Sequence, residues 1–433
     1  MRILLAHNSL YYPALGGGDK SNRLLMAALA ARGHRATVLA RVAEFGAGAH
    51  GQLERDLAAR GAEPRPVAEG LQFELDGVAV RVFTHGRSFR RWTAARIREF
   101  QPDAILASTD DPAHVMLDAA VEAENTRVVY LIRALIALPF GPASPHPGGR
   151  AAEVLRHLDG VVAVSEHVAA YARNWGRVDA VHVPISLPDR AEYPALGSPD
   201  NRFVTLINPC AGKGLPIFLE LARRAPGVEF AAVPSWGTTG EDLEQLHSLR
   251  NVTVLAPVDD IDGIYRQTRV VLVPSLWAEA RSRIPLEAMA RGIPVLASNV
   301  AGMDEAMLGM EYILPVRPAE RYRPAADPTM VPVVEIPPQD AGCWVETLTR
   351  LLDDRALYAA MSARVRARAA GYVGSVSAAP FEDYLEKVVR SPRRSGPPRH
   401  WHSADGHPAA GLSAEKRRLL VARLKTRRPE GKS

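Results

Sequence analysis

Cysteine is nearly missing from this chain. Its 433 residues hold only Cys210 and Cys343, too few for a disulfide framework, so a reducing cytosol is the expected compartment. Long hydrophobic runs are missing too, since no stretch approaches the roughly 20 apolar residues of a membrane-spanning helix. The opening MRILLAHNSL carries one Arg and a very short apolar run, which reads as a first buried strand and not as a secretory signal. The first glycine-rich loop does not fit the GxGxxG fingerprint, which argues against a bound dinucleotide. A basic body is also absent. From Ser391 onward 11 Lys and Arg face 3 Asp and Glu, a net of +8; subtracting this from the whole-chain +5 leaves residues 1–390 at −3. The basicity belongs to a tail, so the folded body has no global reason to bind polyanions and nucleic acid is not an expected partner.

What is present reads as an ordinary globular chain, 47% hydrophobic and 23% charged, long enough for two cores and a tail. Short apolar or β-branched runs at residues 2–6, 36–40, 79–83, 104–107, 127–132 and 161–164 are separated by patterns of helical length. The alternation predicts an α/β fold of parallel strands covered by helices on both faces. The segment LDGVAV at 75–80 predicts a hairpin on its Asp-Gly turn. Residues 184–201, PISLPDRAEYPALGSPDN, have the composition of an interdomain linker. A second alternation follows in FVTLINP, VEFAAVP, NVTVLAP, VVLVPSL and IPVLASN, predicting a second doubly wound sheet. Two such sheets face a cleft, with ligands outside the carboxyl ends of the strands. Seven prolines between residues 315 and 340 predict a long irregular excursion. Helices are expected near Ala341–Asp353 and near Pro380–Val389, the last crossing back to the first domain. Residues 391–411 read as disordered.

Three stretches carry chemistry. PALGGGDKSNRLLMAALAARGH, from Pro13, follows the first strand and opens a helix. Its glycines, Gly17 and Gly18 among them, let backbone approach a ligand, and the helix N-terminus offers free N–H groups to an anion, although a triple glycine alone more often marks a flexible βα loop with no ligand. In VPSLWAEARSRIPLEAMARGIPVLASNVAGMDEA, from Val273, a buried strand runs into a loop with Glu279. A helix follows, with Pro285 in its first turn, Glu287 just inside and Gly292 as its stop. The intervening turn lets both glutamates face one ligand, and carboxylates suit sugar hydroxyls because each accepts directional, charge-assisted hydrogen bonds. In INPCAGKGLPIFLELA, Lys213 sits between two glycines at a strand–turn–helix, a sound diphosphate clamp that is also compatible with an ordinary solvated Lys.

In these residues the chain resembles retaining glycosyltransferases of family 4, which have the GT-B fold. The shared order is GGG before the first helix with RGH at its end, KG opening the second domain, then E-x7-E with EAMARGIPV. The resemblance covers roughly residues 1–390. It implies a nucleotide-diphosphate sugar held between two Rossmann-like domains, a small hydroxyl- or thiol-bearing acceptor, and no cofactor or metal. Residues 1–190 would form the acceptor-side domain and 200–375 the nucleotide-sugar domain. Residues 376–390 would form the returning helix and 391–433 a basic tail. Glu279 would hold hydroxyls of the donor sugar, Glu287 the ribose, and Lys213 the diphosphate. Gly17 would approach the phosphate or the acceptor, and the amide-rich loop of the family falls at Ala301-Gly302. The resemblance further implies transfer with retention, driven by orientation and by stabilising the departing diphosphate.

The chain departs from the family in several places. Asn208 stands where the family often has Arg. Arg281-Ser282 replaces Phe-Gly, which is expected to bring a side chain near the sugar. Arg283 is a candidate to replace the missing cation. Family histidines near Ser108 and Arg133 are absent. Arg133 is a candidate for the cleft, or equally an Arg paired at a strand end, and Asp110 or Asp111 a candidate acceptor-side base. Asp260 and Asp262 are expected to cap and charge a first helical turn and not to bind metal. The HWHSADGH stretch is read as polar linker. Leu412, Leu419, Leu420 and Leu424 share a helical face in the tail, with Ser413 as its cap. That segment is similar to short stretches between carrier and condensation domains of nonribosomal peptide synthetases, implying docking and a specialised-metabolite pathway. Contact with anionic membrane and an inert tail remain open. Two further functions stay open: synthesis of a cell-surface polysaccharide or glycolipid, and a non-catalytic sugar-nucleotide-binding subunit.

Overall fold

The computed structural model describes residues 1–394 except 15, 43–48, 87, 259 and 325–331. The tail's helix and histidines therefore lie outside the described residues. Residues 1–394 form one compact unit. Among the described residues, the first sheet contains β1 (Arg2–Ala6), β2 (Arg35–Arg41), β3 (Arg65–Val67), β4 (Gly70–Leu75), β5 (Val78–Phe83), β6 (Ala104–Ser108), β7 (Arg127–Ile132), β8 (Gly160–Ala163) and β9 (Ala180–His182). Their spatial order is β3-β4-β5-β2-β1-β6-β7-β8-β9. Among the described residues the α-helices of this half are α1 (Gly17–Ala31), α2 (Ala49–Ala59), α3 (Phe89–Phe100), α4 (Val115–Val121), α5 (Gly149–Arg156) and α6 (Glu166–Tyr171), the last continued by a π-helical turn over Ala172–Gly176. The central strands are buried nearly throughout, as parallel strands covered on both faces must be. Among the described residues of this sheet, only β3–β4 and β4–β5 pair antiparallel. The second of these is the Asp-Gly hairpin: Leu75 pairs with Val78, and Asp76 and Gly77 both take the positive φ (52° and 74°) of a tight two-residue turn.

The second sheet is parallel throughout, in the order β12-β11-β10-β13-β14-β15. Its strands are β10 (Phe203–Ile207), β11 (Phe230–Val233), β12 (Val252–Val254), β13 (Thr268–Val273), β14 (Val295–Ser298) and β15 (Ile313–Leu314). They are connected through α7 (Leu215–Arg224), α8 (Gly240–His247), α9 (Asp262–Tyr265), α10 (Ile284–Ala290) and α11 (Met303–Ala306). Each sheet reverses its winding once, between β1 and β6 in the first and between β10 and β13 in the second, and crevices form at such switch points.

The proline-rich excursion is less irregular than its composition suggests. It contains an antiparallel hairpin of β16 (Arg321–Arg323) and β17 (Val333–Glu335), and the Tyr322 hydroxyl accepts the Ala278 N–H at 2.8 Å. After α12 (Gly342–Asp353) comes a 21-residue α13 (Arg355–Ser375), which the sequence reading did not separate. Its weakly amphipathic, Ala/Arg-rich pattern hides a buried stripe of Tyr358, Met361, Val365 and Ala369. The last helix, α14 (Ala379–Arg390), buries Phe381 and packs on the first sheet. Its Glu382 bonds His34 at 2.7 Å and also pairs with Arg32, and a Cβ on Gly160 would meet the Tyr384 hydroxyl. No helix among the described residues is long and apolar enough to cross a membrane.

The turn after β10 shows how tightly the loops are fitted. Gly214 has φ +87°, and a Cβ there would lie 1.9 Å from the Pro274 carbonyl oxygen. Gly214→Ala is expected to lower Tm by several degrees in scanning calorimetry, because it adds backbone strain to a clash. Gly371→Ala, in α13 with no atom within 4 Å of the added Cβ, is expected to be neutral or to raise Tm slightly.

Candidate functional site

The chemistry-bearing residues all follow the carboxyl ends of strands. β13 is buried through Val273, and Pro274, which cannot extend the ladder, turns the chain out. Glu279 lies in the loop beyond, only 7% exposed. Three donors converge on its Oε1: Lys213 Nζ at 2.6 Å, Ser275 Oγ at 2.7 Å and Trp277 Nε1 at 2.9 Å. Its Oε2 has no hydrogen-bond partner among the described residues. Burial works against the charge, but Lys213 and these hydrogen bonds outweigh it and hold the Glu279 pKa below the usual carboxylate range. Lys213 is placed by its flanking glycines. Gly212 packs on the Trp277 ring so closely that a Cβ would come within 2.4 Å of it, and Lys213 Nζ stands 5.2 Å from the centre of the same ring.

Glu287 enters in the first turn of α10, behind Pro285. Its Oε1 takes Arg283 Nε at 3.2 Å and Lys20 Nζ at 3.1 Å, and again Oε2 has no partner among the described residues. Burial opposes this charge as well, and the two cations lower its pKa in spite of it. Lys20 belongs to α1 in the first half of the chain, so the pair joins the two sheets. Lys20 also meets Asp189 at 3.0 Å, and Arg283 donates to Ser21 Oγ at 3.2 Å and the Leu187 carbonyl at 3.1 Å. Further contacts cross between the halves: Ser165 Oγ donates to the Ala280 carbonyl at 2.8 Å, and Glu305 accepts the Glu166 and His167 N–H groups at 3.0 and 2.8 Å.

On the first sheet the triple glycine opens α1 against these cations. A Cβ on Gly17 would lie 3.5 Å from Arg283, and one on Gly18 3.7 Å from Arg133. Both are ordinary contacts and neither residue has a positive φ, so packing within the chain does not demand glycine at 17 or 18. Asp19 reaches back to the Gly16 N–H at 3.1 Å and accepts Ser9 Oγ at 2.9 Å. Beneath it lies His7, fully buried, with Asp110 at 3.1 Å from Nδ1 and Asp19 at 3.5 Å from Nε2. Burial alone would strip the imidazole of its proton. The two carboxylates outweigh it and lift the pKa from 6.5 to about 9, while His7 in turn helps to lower that of Asp110 against burial. Asp110 also accepts the Asn8 N–H at 2.5 Å and the Ser108 hydroxyl. Asp111 caps α4 instead, accepting three of its N–H groups, and its pKa is raised to about 6 by burial and by Asp110. Arg133 bonds Asn22 Oδ1 at 2.7 Å and the Ile185 carbonyl at 3.0 Å. Its Nη2 is buried with no hydrogen-bond partner among the described residues, and burial together with nearby Arg283 disfavours its charge.

The Arg281 side chain, expected to come near the sugar, is held by α13: it stacks 4.6 Å over Tyr372 and donates to that hydroxyl at 2.6 Å. Asn208 has φ +61° and accepts the Gly237 N–H at 3.0 Å, so it braces a loop. Asp262 pairs with the buried Arg291 at 2.5 Å and with Arg190 at 2.9 Å. Gly302 is required by backbone approach, since a Cβ would lie 2.0 Å from the Ala280 oxygen. His7, Asp19 and Lys20 went unread in the sequence. Lys20 and Asp19 stand in the first turn of α1, where charge near a glycine loop is the one available signal; His7 closing β1 gives none.

With two Rossmann-like doubly wound sheets and residues from both meeting at their carboxyl ends, the architecture is the GT-B fold. Residues 212–323 match the family model described as Glycosyl transferases group 1. D-inositol 3-phosphate glycosyltransferase of Nocardia farcinica is 30% identical over 192 residues, which cover 41% of this chain and 38% of that protein. The chain thus spans well under half the length of that relative. TarM of S. aureus, whose solved structures include a complex with fondaparinux, alpha-GlcNAc-glycerol and UDP, aligns over 90% of this chain and 99% of its own, with TM-score 0.64 at 9% identity. Anabaena HepE in complex with UDP-glucose aligns over 90% of this chain and 99% of its own, with TM-score 0.60 at 16% identity. Both are similar in fold.

The His7 cluster predicts a pH dependence. The folded pKa of about 9 lies above the unfolded 6.5, so this stabilisation is complete below pH 6.5 and is lost as pH climbs through 9. Calorimetry between pH 6.5 and 9 is expected to show Tm falling more steeply for the native chain than for His7→Asn. Parallel curves would contradict the charged cluster.

Proposed function

We propose that this protein is a retaining glycosyltransferase that moves a sugar from a nucleoside-diphosphate sugar to a small hydroxyl- or thiol-bearing acceptor. The observation that carries the reading is the pair Glu279 and Glu287: both buried, both held ionised, each committing one oxygen to the chain's own donors and leaving the other free. Two such acceptors beside Lys213, at a switch point of the sheet, suit sugar and ribose hydroxyls on either side of a diphosphate. Glycines at 17 and 18 that packing does not require suit close approach by that diphosphate or by the acceptor. The group 1 family match over residues 212–323 supports the same assignment, and the name of the Nocardia farcinica relative supports a small acceptor.

In this reading Glu279 orients the donor sugar and Glu287 the ribose. Lys213, with the Gly302 loop nearby, stabilises charge on the leaving diphosphate, so no metal is needed. Arg283 closes the first glycine loop over the site. Arg133 directs its unpartnered N–H toward a negatively charged or hydroxyl group of the acceptor. The acceptor oxygen or sulfur bonds to the anomeric carbon as the bond to the diphosphate breaks, on the same face, and its proton passes to the departing diphosphate. Asp110, already paired with His7, acts by fixing the loops after β1 and β6. A role in specialised-metabolite synthesis rests on the similarity of the tail alone.

The test is calorimetric titration with a nucleotide sugar. Glu287→Ala is expected to weaken binding about 10- to 100-fold, the worth of one or two charge-assisted hydrogen bonds, and unchanged affinity would refute the assignment. Proton NMR of the product is expected to show the donor's anomeric configuration; the inverted anomer would refute retention.

A further inference from the structure

Trp236 stands at the edge of this site and no step above uses it. It lies in the loop after β11, 41% exposed, while Trp277 behind it is 3% exposed. The two indoles stack with centroids 5.8 Å apart and planes 13° from parallel. Trp277 is the residue that donates to Glu279 and lies under Lys213, so the stack is continuous with the carboxylate cradle. Toward the first sheet, a Cβ on Gly16 would lie 3.7 Å from Trp236 Nε1, which sets the exposed indole at the seam between the second sheet and the glycine loop of α1.

The loop is built to hold it there. Asn208, in the left-handed conformation that asparagine tolerates, accepts the Gly237 N–H at 3.0 Å. Gly237 fits so closely that a Cβ would lie 3.1 Å from both Asn208 Oδ1 and Cys210 Sγ. Thr238 Oγ1 accepts the Ser235 N–H at 3.2 Å and the Thr238 N–H bonds the Ser235 carbonyl at 3.0 Å. Thr239 then caps α8. A large apolar ring fixed this firmly, backed by a second ring and left exposed beside polar groups, matches the composition of a ligand-orienting surface.

We propose that Trp236, with Trp277 behind it, is a specificity-determining platform against which the acceptor lays the flat face of a ring. The inference rests on the glycosyltransferase reading and deepens it by naming the acceptor's shape. The π face of an indole is electron-rich and attracts the C–H groups on the face of a saturated ring, or a second aromatic ring in an offset stack. The acceptor class is therefore one with a ring face, either a pyranose or a planar aromatic, beside the reacting hydroxyl or thiol. Asn208 is the positioning residue for that platform.

The test uses the full chain with whichever of UDP, GDP, ADP and dTDP it binds, titrated with methyl α-D-glucoside, p-nitrophenyl α-D-glucoside, p-nitrophenol and glycerol. Native protein is expected to bind at least one ring-bearing probe more tightly than glycerol. Trp236→Ala is expected to lose about tenfold in that affinity and Trp236→Phe to retain most of it, with nucleotide affinity within about twofold in both. Preference for methyl glucoside identifies a pyranose face; preference for p-nitrophenol identifies an aromatic one. Equal ring-probe affinity in native protein and Trp236→Ala, or no ring-probe binding by native protein, would overturn the proposal. Failure to bind any nucleotide would instead bring down the reading beneath it.

Discussion

Keeping two carboxylates charged inside the protein is the constraint on which the rest of the site depends. Glu279 and Glu287 are each 7% exposed, and an ion taken out of water costs several kcal/mol unless a partner and hydrogen bonds offset it. The partners come from separate stretches of chain. Lys213 is delivered by the turn after β10, Arg283 by the turn before α10, and Lys20 by α1 of the other sheet. Because Lys20 crosses the cleft to Glu287, one condition for holding that carboxylate ionised is that the two halves stand close together. The same pairing explains how a ligand can enter. In the proposed function a diphosphate would compete for the lysines while hydroxyls hydrogen-bond the carboxylates, so each internal partner given up is replaced by one from the ligand.

The first sheet contributes a firm edge. His7, Asp19 and Asp110 form a buried network in which the imidazolium lies between two carboxylates, and its branches tie down the loop after β1, the glycine turn and the loop after β6. Ser108 and Asn22 extend it, the latter through Nδ2 at 2.9 Å to Ser108, and Asn22 passes it on to Arg133. A network of this kind fixes backbone that otherwise carries no secondary structure. The second sheet answers with steric fit: Gly212 against Trp277, Gly214 against Pro274 and Gly302 against Ala280 leave room for no side chain.

Much of the fold was legible because its signals are local. Buried parallel strands betray themselves as β-branched runs, and Asp76-Gly77 can scarcely be anything but a tight turn. Glu279, Glu287 and Lys213 could be singled out because each lies between a strand end and the first turn of the helix that follows it. What the sequence could not show was determined between distant segments. Lys20 and Glu287 are 267 residues apart, and nothing near Arg281 announces that Tyr372 will hold it. Asn208 looked like a lost cation and proves to be the brace for the loop that carries Trp236. The helix α13 escaped because alanine and arginine blur its apolar stripe.

The central claim is that this closed arrangement of carboxylates and lysines is a nucleotide-sugar site, and the most direct measurement is a thermal-shift panel of UDP, GDP, ADP and dTDP with their common sugar conjugates. One base, with its conjugates, is predicted to raise Tm clearly, since a ligand at a hundredfold its Kd stabilises the folded state by about 2.7 kcal/mol. A folded protein that shifts with none of them would contradict the account.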